Sequence, residues 1–325
     1  MRYNKLLITG GLGYIGSNIV YQLHRSHPTA DVVILDNQEN CQFNDIYLNR
    51  LSSNKIKIIR GNIENINDLL PNEEFDAVIH LGANAYVGES VTNPNKYFGL
   101  NLTSTYELAR FCRNTKVEQL IFSSTCAVYG TQSAILTERS ELSPQSPYAY
   151  SKLFSEQILE RELRGTTKLT VFRYFNVAGA NPEFEGGEFH TTETHLIPVI
   201  FRKLENGEPI TIFGGDYDTP DGTCVREYVH VSDIAEAHLK ALKSGREGTF
   251  NLGSSQPNSN LQVLKHIERI CNRSIQYSIS ERRTGDATCL HSSNKKAQRE
   301  LGWLPKKSSL DKIINDYWEW LQIKR

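Results

Sequence analysis

The sequence predicts an α/β protein, a doubly wound parallel sheet followed by a smaller C-terminal α/β lobe, and two observations carry that reading. In the first half, short runs apolar almost throughout recur at Lys5–Thr9, Val32–Leu35, Ile56–Ile59, Ala77–His80, Gln119–Ser123 and Leu169–Tyr174, separated by helix-length stretches. Such runs suit parallel strands buried on both faces and joined by crossover helices. After about residue 176 the texture changes: Gly, Pro and Asp cluster at 180–187 and 214–222, and helix candidates lie at Leu196–Leu204, Val231–Lys243, Leu261–Cys271 and Leu310–Trp320. The expected division is residues 1–175 for the sheet domain and 176–325 for the second lobe, with segments near 229–252 able to pack back on the first.

The 325 residues allow a sizeable core. With 36 Lys+Arg against 37 Asp+Glu the formal net charge is -1, so no bulk positive field attracts nucleic acid and none is expected as a partner. The apolar runs are far shorter than the roughly 20 residues that cross a bilayer, so no membrane partner is expected. Met1–Asn4 leads straight into the first strand, so no signal peptide is expected. Cys41, Cys112, Cys126, Cys224, Cys271 and Cys289 are scattered without C-x-x-C pairing. They read as reduced thiols, which points to a cytoplasmic address and to no metal site.

The first strand runs into Gly10-Gly11-Leu12-Gly13-Tyr14-Ile15-Gly16, and a helix-like segment, Ser17–Arg25, follows. Glycines let backbone turn tightly against a pyrophosphate, whose charge suits a helix N-terminus. Asp36 closes the next strand at the spacing expected of a ribose acceptor. Its carboxylate would repel a 2′-phosphate and no Arg follows in Asn37-Gln38, so NAD is favoured over NADP. Asn62 stands after the third run, placed to meet adenine, and Leu81-Gly82-Ala83 at the end of the fourth would let backbone approach the cofactor. A Rossmann-type dinucleotide domain is the expectation.

The fifth run ends in Ser123-Ser124-Thr125, and Pro147-Tyr148-Ala149-Tyr150-Ser151-Lys152 follows downstream. Pro147 suits a helix start. On that helix Tyr148 and Lys152 are four apart on one face, where an ammonium would draw the phenol pKa from about 10 toward neutrality and make it a general base for an alcohol. Tyr150 has Phe154 at that spacing, so Tyr148 is the better candidate. A hydroxyl from Thr125 or Ser124 could bond the same substrate oxygen.

These motifs, with VGESV (87–91), IFSSTCAVYG (121–130), PQSPYAYSK (144–152), RYFNVAG (173–179), THLIP (194–198), FGGDYDTPDGTCVREYVHV (213–231) and RRTGD (282–286), span nearly the whole chain. The sequence resembles the extended short-chain dehydrogenase/reductases, and among them the UDP-glucose 4-epimerases. The resemblance implies that Tyr148 takes the proton of the sugar 4-hydroxyl while a hydride leaves carbon 4. Lys152 would hold the nicotinamide ribose, Thr125 or Ser124 the substrate oxygen, and a 4-keto sugar would turn over before reduction on its other face. It further implies that Gly10, Gly13, Tyr14, Ile15, Gly16, Asn37, Ile63, Asn101, Ser123 and Tyr174 belong to the NAD site. Asn176, His195, Leu196, Thr211, Phe213, Arg226, Tyr228, Arg283, Asp286 and Leu290 would line the UDP-sugar site, and Leu290 would set the size of sugar admitted.

The same resemblance implies a homodimer through helices near 94–114 and 147–164, where Tyr97, Leu100, Tyr106 and Phe111 offer apolar area. UDP-N-acetylhexosamines and UDP-pentoses stay open as substrates. A 4,6-dehydratase is disfavoured because Cys126-Ala127 follows Thr125 where an acid/base pair is needed, and a non-catalytic NAD-binding regulator because both Tyr148 and Lys152 are present.

Overall fold

The computed structural model describes residues 2–39, 54–132, 134–188, 190, 193–283 and 287–323. The strands are β1 (Lys5–Thr9), β2 (Asp31–Asp36), β3 (Ile56–Arg60), β4 (Ala77–His80), β5 (Gln119–Thr125), β6 (Lys168–Tyr174), β7 (Asn176–Ala178), β8 (Ile210–Phe213), β9 (Val225–His230), β10 (Gly248–Leu252), β11 (Pro257–Ser259) and β12 (Tyr277–Ser280). The helices are α1 (Tyr14–Ser26), α2 (Ile66–Leu69), α3 (Val87–Thr92), α4 (Pro94–Asn114), α5 (Pro147–Glu162), α6 (Leu196–Asn206), α7 (Val231–Ser244), α8 (Asn260–Cys271), α9 (Lys295–Leu301) and α10 (Leu310–Ile323).

Seven parallel strands form one sheet in the order β10-β6-β5-β4-β1-β2-β3. The fold is a Rossmann-type α/β fold. One apolar cluster, including Leu6, Ile8, Ile19, Ile34, Val229 and Trp303, covers one face, and another, including Leu7, Val78, Leu108, Leu120 and Val171, covers the other. Both faces are buried, which is why the central runs contain no alternation. β3, at the end of the sheet, has no fully buried residue.

The segment 229–252 supplies α7, which packs against α1, and β10, which pairs with β6. The second lobe has its own core around Ile200, Phe201, Ile212, Ile267, Ile313 and Trp320. Its strands are short: β11-β9-β7 form one sheet and β12-β8 another. α8 starts on a capping box, in which Ser259 and Gln262 each bond the other's backbone.

Strand order reverses between β1 and β4, so loops from neighbouring strands diverge and leave a crevice at their C-terminal ends. At Gly10 the backbone φ is +69°, and a Cβ there would stand 2.6 Å from the Gly82 amide nitrogen. Two loops therefore meet backbone to backbone at the floor of the crevice, which only glycine permits.

Candidate active site

α1 opens directly on that floor. Its N-cap is Gly13, no side chain caps it, and its first turn holds no acidic residue. The positive end of the helix is thus left uncompensated by the protein, which suits an anionic group. A Cβ on Gly16 would lie 2.4 Å from the Gly10 carbonyl oxygen, so α1 can seat this closely only with glycine there. Asp36, at the end of β2, accepts backbone hydrogen bonds from Leu12 (3.0 Å) and Gln38 (2.8 Å). Burial raises its carboxyl pKa, and these two donors partly pull it back. Asn37 Nδ2 donates to Asn62 Oδ1 at 2.9 Å, so the Asn62 oxygen expected to face adenine already has one partner.

The chemical end is built by β5 and α5. Thr125 ends β5, and its Oγ1 accepts from the Ala127 amide at 3.1 Å. Ser146 caps α5 by accepting from the Ala149 amide at 3.2 Å, and Pro147 stands in its first turn. This start places Tyr148 and Lys152 one turn apart, with the Tyr148 phenol hydrogen-bonded to Thr125. Lys152 is buried, and its ammonium lies 4.2 Å from the centroid of the Phe122 ring.

The electrostatics correct one expectation. Burial pushes the Tyr148 phenol up to about 12, and the Thr125 hydrogen bond, not Lys152, is what opposes the rise. Burial also pulls Lys152 down to about 7, with the Glu156 carboxylate acting the other way. Loss of water is the largest cause of both shifts, and neither group draws on the charge of the other.

Other expected residues are present but differently engaged. Ser124 donates to Glu156, which forms a buried ion pair with Arg173 (Nη2 to Oε2, 2.5 Å), so that hydroxyl is committed away from substrate. Arg173 also donates to the Tyr129 hydroxyl at 3.0 Å, which in turn donates to Asn251 at 2.7 Å. Ser123 donates to Tyr174 (2.7 Å), and Tyr174 donates to His238 Nε2 (2.9 Å), whose Nδ1 bonds the Ile234 carbonyl. Those two hydroxyls serve the sheet interior and offer a cofactor only their remaining surface. Asn101 bonds the backbone N–H and C=O of Asn84 and the Ser151 hydroxyl, making it a clamp between α4, α5 and the β4 loop. Tyr14 donates to the Gly179 carbonyl at 2.6 Å, tying α1 to the second lobe.

Three adjoining cavities run from Asp36 to the second lobe. The first is lined by Gly10, Gly13, Asp36, Asn37, Asn62, Ile63, Leu81, Gly82, Ala83 and Asn101. The middle one, about 560 Å³, holds Tyr14, Ile15, Gly16, Ser123, Ser124, Thr125, Tyr148, Lys152, Tyr174 and Leu290. The third, about 1240 Å³, is lined by Leu196, Thr211, Phe213 and Tyr228. His195 borders all three, and Asn176, Arg226 and Arg283 border the last two. Arg283 lies 4.0 Å from the centroid of the Phe213 ring. Asn176 and Tyr228 are register partners on β7 and β9, and their side chains hydrogen-bond. Arg226 is braced by the Val225 and Ala287 carbonyls at 2.9 and 2.6 Å. Asp286 lies outside the described residues.

The residues 6–253 match the model of the NAD dependent epimerase/dehydratase family. The chain belongs to that family. It is 38% identical to a UDP-glucose 4-epimerase of Lactobacillus helveticus, over 97% of this chain and 96% of the relative. A UDP-glucose 4-epimerase structure from Stenotrophomonas maltophila, with bound NAD and formylated UDP-arabinopyranose, superposes with a TM-score of 0.91 at 32% identity, covering 98% of both chains. One from Bifidobacterium longum in complex with NAD+ and UDP gives a TM-score of 0.90 at 32% identity, again over 98% of both.

Among the residues that border the cleft and that the sequence reading does not name are Glu188, His190 and Glu193. The signal was available: four donor residues alternate with others at 188, 190, 193 and 195. His195, expected at the substrate, contacts the Glu188 carboxylate, whose charge raises the imidazole pKa to about 9. Among the described residues no helix is long and apolar enough to cross a membrane.

Proposed function

We propose that the protein interconverts UDP-glucose and UDP-galactose by inverting carbon 4 through a transient 4-keto sugar. One observation carries the reading: Tyr148, Thr125 and Lys152 stand at the floor of a single cleft, between an uncapped helix with Asp36 at one end and two arginines at the other. The groups present fit a dinucleotide, which would lie across the α1 N-terminus with its ribose toward Asp36. Bound NAD supplies a hydride acceptor and, in its oxidised form, a positive charge within the cleft.

The chain's own residues do the rest. Tyr148 takes the proton of the 4-hydroxyl and returns it, so the same group serves both directions. Thr125 hydrogen-bonds the phenol and orients it. Lys152 holds the cofactor ribose and, at a pKa of about 7, responds readily to any charge nearby. Arg226 and Arg283 offer planar forks for the diphosphate, so binding energy is concentrated on the nucleotide and the sugar stays free to turn.

Tyr148→Phe should lower conversion of UDP-galactose to UDP-glucose roughly 1000-fold, while NAD released on denaturation stays at the wild-type amount. Unchanged turnover would remove Tyr148 as the base. The five described cysteines are free thiols, which supports a reducing, cytoplasmic setting.

The homodimer reading is revised in its residues. Tyr97 and Phe111 are buried within the subunit, whereas Leu100 and Tyr106 on α4 and Tyr150 and Phe154 on α5 are exposed. Those four side chains support a two-helix face meeting its copy, and a monomeric mass by sedimentation would overturn it.

A further inference from the structure

Glu188, His190, Glu193 and His195 each offer one ligand atom, and these atoms all lie within 4.8 Å of one another. We propose that the four side chains bind a divalent transition metal, zinc by ligand type, in a closed site that fastens the chain after β7 to the start of α6.

The spacing of the donors supports a shared ion. His190 Nδ1 lies 3.5 Å from Glu188 Oε1 and 3.5 Å from Glu193 Oε2. It is buried and makes no hydrogen bond of normal geometry. Ligands about 2.1 Å from a common tetrahedral ion stand about 3.4 Å apart. These separations are long for hydrogen bonds and right for two edges of such a tetrahedron. His195 Nδ1, which contacts the Glu188 carboxylate, supplies the fourth donor after a small outward shift.

Charge points the same way. The Glu188 and Glu193 side chains are only 2% and 7% exposed, so two carboxylates are held together away from water. A divalent ion bound by two neutral imidazoles cancels both charges, whereas one protonated imidazole cancels only one. Two imidazoles with two carboxylates suit zinc, while magnesium and calcium prefer oxygen donors throughout. With four protein ligands no coordination position is left for a sugar. The ion would therefore organise the cleft wall without entering the reaction, and His195, the N-cap of α6, would serve the ion and not the UDP-sugar. The site departs from the sequence reading, which expected no metal, and it does not depend on which sugar is turned over.

The test is zinc content and thermal unfolding of the full chain after dialysis against excess ZnCl2 and then buffer. Expected are one zinc per chain by mass spectrometry and a midpoint several degrees above that of EDTA-treated protein, with no rise in MgCl2. His190→Ala and the near-isosteric Glu193→Gln should each weaken zinc binding at least tenfold by calorimetry. Less than a tenth of an equivalent in the wild type, full zinc affinity in either variant, or an equal response to magnesium would each overturn the site. The wild-type measurement stands even where a variant fails to fold.

Discussion

Removing the buried ammonium of Lys152 should change stability in a way that depends on pH. Burial pulls its pKa from 10.5 to about 7. Between those values the unfolded chain binds a proton that the folded protein does not, so stability rises with pH across the window, and the full cost of burying the charge is felt below about 7. The fall amounts to about 5 kcal/mol at pH 6 and about 2 kcal/mol at pH 9. Lys152→Met keeps an unbranched apolar stem and removes the charge. Urea unfolding of both proteins at pH 6, 7, 8 and 9 should show the variant gaining on the wild type at pH 6, with the gap narrowing by about 3 kcal/mol by pH 9. The Lys152 charge also helps to lower His80, but at about 3 that imidazole stays neutral throughout this pH range and drops out of the difference. A gap that stays constant across the series would show that Lys152 keeps its ordinary pKa, and the reading of a responsive lysine in the cleft would fail with it.

Three further outcomes follow from the same geometry. Arg173→Met leaves the Glu156 carboxylate buried without its partner and should cost roughly 3–5 kcal/mol in urea unfolding, part of which Glu156→Gln in the same chain should restore. His80 and His238 are held neutral by burial, at about 3 and about 4. Each therefore contributes stability above pH 6.5 that is lost as pH falls toward those values, at up to roughly 1.4 kcal/mol per pH unit, and equilibrium unfolding between pH 7 and 4.5 should show the decline. Leu290→Tyr adds bulk to the wall of the middle cavity, so it should lower turnover of UDP-N-acetylhexosamines at least tenfold relative to UDP-galactose. An equal loss on both sugars in a competition assay would remove Leu290 as the size determinant.

The sheet was legible because buried parallel strands need no alternation, so Leu6–Ile8 or Val78–Ile79 announce themselves as unbroken apolar runs. In the second lobe the four helices were legible too, but its sheets were not, because β7, β9 and β11 hold only three to six residues each and owe their pairing to partners far along the chain. At the site, motif spacing located the lining but could not show where each polar atom is spent. Ser124, Ser123 and Asn101 all border the cleft, yet their main hydrogen bonds go to Glu156, Tyr174 and the Asn84 backbone. Nor could spacing give the sign of the Tyr148 shift: i, i+4 geometry predicts attraction to Lys152, but desolvation depends on what closes over both groups.

That unequal distribution of polar atoms bears on how one enzyme can reduce either face of the same ketone. The cleft ends are polar and braced: Asp36 is fixed by two backbone N–H groups, and Arg226 by two carbonyls. Around Thr125 and Tyr148 the wall includes Val87, Gly88, Cys126, Phe175 and Leu290, which have little to offer a ring of hydroxyls. The polar groups nearest the reacting atoms are held from behind, Ser124 through Glu156 to Arg173 and on to Tyr129 and Asn251. A sugar tethered by its diphosphate would thus meet a fixed acid–base edge beside an apolar stretch of wall, and would lose few hydrogen bonds where it turns against that stretch. Adding a hydrogen-bonding side chain to that wall should therefore slow epimerisation while tightening substrate binding, the reverse of what a more polar pocket does for an enzyme that must hold its substrate still.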